Sequence, residues 1–100
     1  MANSILQFNT TRCHLCGGPA EPFDPLDKHH VFGGALRKKS ELLGLTVYLH
    51  HNKCHIFGEK AVHKNAAKNR QLKEEAQRAA MNYYGWSVED FRREFYKSYI

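Results

Sequence analysis

Cys13-His14-Leu15-Cys16-Gly17-Gly18, then Asp27-Lys28-His29-His30, then His50-His51-Asn52-Lys53-Cys54-His55: the reading of these runs decides the fold. They hold all three cysteines and all but one of the seven histidines. A Cys-x-x-Cys pair with glycines directly behind it forms a knuckle. The turn aims both sulfurs at one point, and glycine lets the backbone fold under them. The second ligand pair must come from elsewhere, and Cys54 is the only cysteine left. His51 precedes Cys54 at the same spacing, which predicts a structural zinc site of Cys13, Cys16, His51 and Cys54. His50, directly after a predicted strand, is the substitute for His51. The competing reading makes Cys54 a core residue and the CxxC a redox pair. Thioredoxin-type chemistry, however, needs a βαβ setting that this chain lacks. Four ligands complete a tetrahedral zinc, so the surplus histidines point to a second, working site.

The rest of the composition suits a small metal-stapled domain. A chain of 100 residues with 42% apolar and 25% charged residues reads as one globular domain, residues 1–100. At that size a structural metal often supplements a thin core; zinc supplies about 10–16 kcal/mol of apparent binding energy. Three cysteines cannot all pair, and the first residues lack the charged start and apolar run of a signal peptide. The expected compartment is therefore the reducing cytoplasm. No apolar run approaches the roughly 20 residues that span a bilayer. The net charge of +5 is a weak pointer to a polyanionic partner. Its placement says more: Arg37-Lys38-Lys39 lies between the two halves of the histidine-rich region, where a phosphate backbone would meet it.

Outward from the three runs, the chain divides simply. In the polar residues 1–12, Ile5, Leu6 and Phe8 are expected to be buried. Gly17–Asp27 carries all three prolines and reads as loop. Strands are predicted over Lys28–Phe32 and Leu45–Leu49, separated by a helical turn or loop at Ala35–Leu43. Asn65 caps a predicted helix that reaches Tyr84, with Gly85 behind it. Leu72, Ala76, Ala80 and Tyr83 form its apolar stripe, while Lys64, Lys68, Arg70 and Lys73 read as its wet face. Ser87 and Asp90 open a last helix whose buried face is Val88, Phe91, Phe95 and Tyr99. Tyr83, Tyr84 and Trp86 read as core, and His14 as exposed knuckle. The fold class is α+β: a small zinc-stapled core followed by C-terminal helices.

The segments CHLCGG, DKHHVFGG, LTVYLHHNKCHIFG and AVHKN resemble the HNH endonucleases, the ββα-metal nucleases with a treble-clef-like core. In that family a CxxC knuckle is followed by Asp-His or His-His at the end of a first strand. A second strand and a Cys-x-x-Cys-His turn then lead into a helix. The resemblance covers residues 12–66, with 65–100 as the helical remainder, and looks closest to small bacteriophage-encoded proteins. It implies a metal-dependent hydrolase of DNA, or of RNA, in the cytoplasm of a bacterial host. It makes His30 the general base and His29 and His55 ligands of a catalytic metal. His63 is the candidate third ligand. Arg37, Lys38 and Lys39 would hold nucleic acid, with no membrane role. The C-terminal helices either pack on the core or form a homodimer face.

Two departures stand out. The family's central asparagine falls near Leu45, which cannot orient an imidazole; Asn52 or a backbone carbonyl is left to hold the His30 ring. A histidine also stands where the turn usually has a cysteine. Geometry adds an objection, because neighbouring residues of a regular strand face opposite ways. His29 and His30 share a site only if the strand bends, as Gly33-Gly34 permits. In a regular strand Asp27 and His29 align as ligands and His30 packs away.

The residue types suit phosphodiester hydrolysis. A histidine, with an ordinary pKa of about 6.5, makes a suitable base, and such catalysis contributes roughly 10²–10⁴-fold. A histidine-rich site takes Zn²⁺, Mn²⁺, Ni²⁺ or Fe²⁺; Mg²⁺ prefers carboxylates, and Asp27 is the nearest. The alternative function is a non-catalytic zinc adaptor for nucleic acid or protein, which the missing asparagine favours.

Overall fold

Thr46-Val47-Tyr48-Leu49-His50 is β-branched, aromatic and apolar, and forms strand β2 (Thr46–His50) in the computed structural model, which describes residues 3–59 and 61–100. Strand β1 (Leu26–His30) pairs with it antiparallel, Leu26 opposite His50 and His30 opposite Thr46. β1 thus begins two residues before the expected Lys28, and β2 is shifted one residue past the expected Leu45–Leu49. Past His30 the Val31 amide still donates to the Leu45 carbonyl at 3.1 Å, and Val31 and Phe32 are buried in the core, 2% and 1% exposed.

The N-terminal segment covers β2. Ser4 Oγ donates to the Thr46 carbonyl at 2.6 Å, and the Tyr48 amide donates to Gln7 Oε1 at 2.7 Å. These bonds satisfy backbone groups that an open strand edge would leave free. Gln7, not Phe8, takes the inward place; Phe8 is fully exposed, contrary to expectation.

The segment between the strands is more regular than the sequence suggested. A 3₁₀ turn (Gly34–Leu36) runs into helix α1 (Arg37–Leu43). Ser40 clasps α1 to the end of β1: its hydroxyl donates to the Phe32 carbonyl at 2.8 Å and accepts the Phe32 amide at 3.1 Å. Gly44 ends α1 at φ +76°, where a Cβ would sit 2.4 Å from the Asn3 carbonyl, so no other residue fits.

After β2 comes a π-helical turn, His51–Ile56, capped by Asp24, whose carboxylate accepts the Asn52 and Lys53 amides. The amides of Val62 and His63 then bond back to the carbonyls of Cys54 and His55, both at 3.0 Å. That return fixes His63 beside His55.

Helix α2 (Ala66–Tyr84) begins at Asn65, whose side chain accepts the Lys68 amide, and ends before Gly85 as predicted. Helix α3 (Val88–Phe95) opens on a reciprocal Ser87–Asp90 capping box. Phe91 and Phe95 pack on Phe32, with ring centroids 5.7 and 4.5 Å away. Leu72, Ala76 and Ala80 are buried, but Tyr83 is 67% exposed, so the stripe ends a turn early. Gln77 supplies an inward position instead, its amide joining Ser98 Oγ and the Tyr99 amide. Tyr84 and Trp86 are half-buried and stacked. Among the described residues, no helix is long and apolar enough to cross a membrane.

Candidate metal centre

The knuckle closes as its sequence requires. The Gly17 amide donates to the Cys13 carbonyl at 2.8 Å, with Gly17 at φ +80°, and the Cys16 amide points at Cys13 Sγ. The His14 amide donates to the Tyr48 carbonyl, which seats the knuckle against β2. Cys13, Cys16, His50 and Cys54 form a cluster that can hold a metal ion such as zinc, their ligand atoms all within 4.8 Å of one another. The histidine is His50, which corrects the expectation of His51. β2 runs on through His50, so strand geometry fixes that ring toward the knuckle, fully buried. His50 Nε2–H donates to the Pro19 carbonyl at 2.6 Å, which leaves Nδ1 facing Cys16 Sγ at 3.3 Å and Cys54 Sγ at 3.9 Å. A carbonyl behind the ring in this way selects the ligating nitrogen. Burial resists ionisation of Cys13, yet backbone amides around the knuckle outweigh it and bring that thiol down to about 6. Burial and the neighbouring Cys13 push Cys54 up. A divalent cation among the sulfurs offsets that burden.

His51 lies on the other side of the π turn, 40% exposed, where its Nδ1 hydrogen-bonds Asp27. The same Asp27 oxygen accepts His55 Nδ1–H at 3.1 Å. Burial works against this carboxyl, but the bonds from His51 and His55 prevail and hold it below the usual carboxylate range. His55 therefore turns Nε2 the other way, to lie 3.2 Å from His29 Nδ1 and 3.1 Å from His63 Nε2. These three nitrogens also fall within 4.8 Å of one another. Burial, then the neighbouring rings of His55, His63 and His30, bring His29 down to about 3. Burial and His55 lower His63 as well. Imidazole nitrogens that converge in this way are a ligand set for a borderline divalent cation. The structure brings His29, His55 and His63 together. Asp27, aligned with His29 by strand alternation, reaches the site as the support of His55.

His30 obeys the same alternation and faces away from Asp27 and His29, toward α1. Its Nε2–H donates to Glu41 Oε1 at 2.8 Å, while Lys28 Nζ donates to Glu41 Oε2 at 2.7 Å. The Lys28 and His30 bonds, in that order, keep Glu41 below its ordinary carboxyl value. Asn52 does not orient the ring, since its side-chain amide donates to the Phe23 carbonyl, and among the described residues no backbone carbonyl bonds it. His30 still lines the same cavity as His29, His55 and His63, because β1 ends there.

Of the basic run, Arg37 lines that cavity. Lys38 is exposed and outside its lining, and Lys39 is engaged by the Glu94 carbonyl and carboxylate, at 3.0 and 3.5 Å. His14 is not free knuckle sequence; its Nε2 pairs with Glu75 on α2 at 2.7 Å. Sequence reasoning missed Glu41, Lys28 and the support role of Asp27. Only the last had a signal, the i,i+2 spacing of Asp27 and His29 on one strand. Comparison with protein families, with curated proteins and with solved structures returned no match for this chain.

Proposed function

We propose that the chain is a metal-dependent endonuclease of the HNH type that hydrolyses phosphodiester bonds in DNA, with residues 12–66 as a ββα-metal core. One observation carries the reading: the ligand nitrogens of His29, His55 and His63 meet in a cavity that the Glu41-bound His30 also lines. The three histidines would hold a divalent ion of the Zn²⁺, Mn²⁺, Ni²⁺ or Fe²⁺ class, which supplies charge relief at the phosphate and at the leaving oxygen. The chain's own residues do the rest. An ionised carboxylate only accepts, so the His30 proton sits on Nε2 and Nδ1 is the free base. Nδ1 takes the proton of the attacking water, and Glu41 steadies the imidazolium that results. Glu41 thereby fills the orienting role that the family gives to an asparagine.

Plasmid cleavage with added Mn²⁺ or Mg²⁺ tests this. Wild-type protein nicks or cuts, and His30→Ala abolishes cleavage while zinc content is retained; full activity in that variant removes His30 from the mechanism. The second reading, a non-catalytic zinc adaptor, draws on Leu45, a fully buried apolar residue near the family's asparagine position. An adaptor holds one tight zinc and no second metal.

A further inference from the structure

The cavity beside the histidine trio measures about 510 Å³, within the range of a small-ligand pocket and far larger than one phosphate requires. Lys28, Arg37 and Lys73 line it, and no carboxylate does. Lys28 is engaged by Glu41. Arg37 makes no ion pair among the described residues, and neither does Lys73, whose ammonium rests over the Tyr99 ring, 5.4 Å from its centroid. The acids next to Lys73 in α2 are taken: Glu74 by Arg70 and Arg78, Glu75 by His14. Asn69 stands one turn before Lys73, so the two share a face of α2. Asn69 also lines a second cavity of about 290 Å³, which shares His29 and His63 with the first and is lined by Lys64 as well. Two cavities that share His29, His63 and Asn69, with cations and no carboxylate in their linings, fit a chain of phosphates.

We infer that the Asn69–Lys73 face of α2, with Arg37 across the cavity, is a second phosphate subsite that grips a non-scissile phosphate of the same strand. The substrate is then a polynucleotide with at least two consecutive backbone phosphates. This rests on the hydrolytic reading of the histidine site, but binding tests it separately from cleavage.

The experiment is fluorescence anisotropy of a labelled oligodeoxynucleotide with zinc-loaded protein across a salt series. Lys73→Gln lowers the slope of log K against log salt by about 1, the loss of one phosphate contact. Arg92→Gln, removing an exposed charge on α3 outside both cavities, serves as the control and keeps the wild-type slope. Zinc content of both variants matches wild type. With the oligonucleotide as cleavage substrate, the Lys73→Gln loss falls on KM rather than kcat. An unaltered slope in Lys73→Gln, or an equal drop in both variants, overturns the subsite. Binding with that slope change but no cleavage by wild type sinks the hydrolytic reading and leaves the subsite standing.

Discussion

His30 on β1 and Glu41 on α1 are joined across 2.8 Å, from imidazole Nε2 to carboxylate Oε1, and Lys28 holds the other carboxylate oxygen. The bond fixes which ring nitrogen is free, so on the proposed hydrolytic reading its removal acts on chemistry before structure. General-base catalysis as a whole contributes about 10²–10⁴-fold, and Glu41→Gln forfeits part of it. The expected result is a fall in kcat of about 10-fold, smaller than that of His30→Ala, with metal content unchanged. Steady-state cleavage of a labelled duplex checks it.

The same carboxylate sets a pH dependence of stability. Glu41 is held below its ordinary value of 4.5 by Lys28 first and His30 second. A depressed carboxyl contributes stability above its unfolded value, and that contribution is lost as pH falls through the depressed one. The wild-type margin over Glu41→Gln should therefore shrink below pH 4.5. As a partly exposed pair it is worth no more than about 1 kcal/mol. Denaturant unfolding at a series of pH values reads it.

His50 and His51 separate the two centres. His50→Ala removes a buried histidine from the cysteine cluster, so zinc binding there should be lost together with most of the thermal stability. His51→Ala leaves that zinc in place, since His51 bonds Asp27 and not the sulfurs. Zinc content by plasma emission, paired with a melting curve, distinguishes them.

Asp27→Asn acts one bond further out. The carboxylate that accepts His55 Nδ1–H raises the basicity of Nε2, so on the proposed reading its loss should weaken binding of an ion at the histidine trio by about 10–100-fold. Titration with Co²⁺, followed by its visible absorption, measures this while the cysteine site stays filled with zinc.

Ser40→Ala tests the fold that carries His30 and Glu41. It strips the buried Phe32 amide and carbonyl of their shared partner, which costs about 1–3 kcal/mol by denaturant unfolding of the zinc-loaded protein.

Local signals in the sequence carried a long way. The Asn65 cap, Gly85 and the Ser87–Asp90 box each lie within a few residues of the helix end they set, and all three helix ends fell where they pointed. The closeness of the knuckle cysteines, and of His29, His55 and His63, was legible as well. What failed depended on pairing at a distance. Whether β2 ends at residue 49 or 50 decides which histidine meets the sulfurs, and the register of β1 decides it. Glu41 stands 11 residues from His30, in a stretch that read as a helical turn or loop, so nothing local tied them. Phe8 was judged by hydrophobicity and Tyr83 by its spacing along the apolar stripe, while Gln7 and Gln77 took the inward places through hydrogen bonds that neither signal displays.

The most direct test counts ions. Protein loaded with Zn²⁺ and freed of excess metal should hold two per chain, and His63→Ala should hold one, the cysteine-bound ion. Anomalous scattering at the zinc edge should place the lost ion among His29, His55 and His63. A single ion in both proteins, bound only by Cys13, Cys16, His50 and Cys54, would contradict the account.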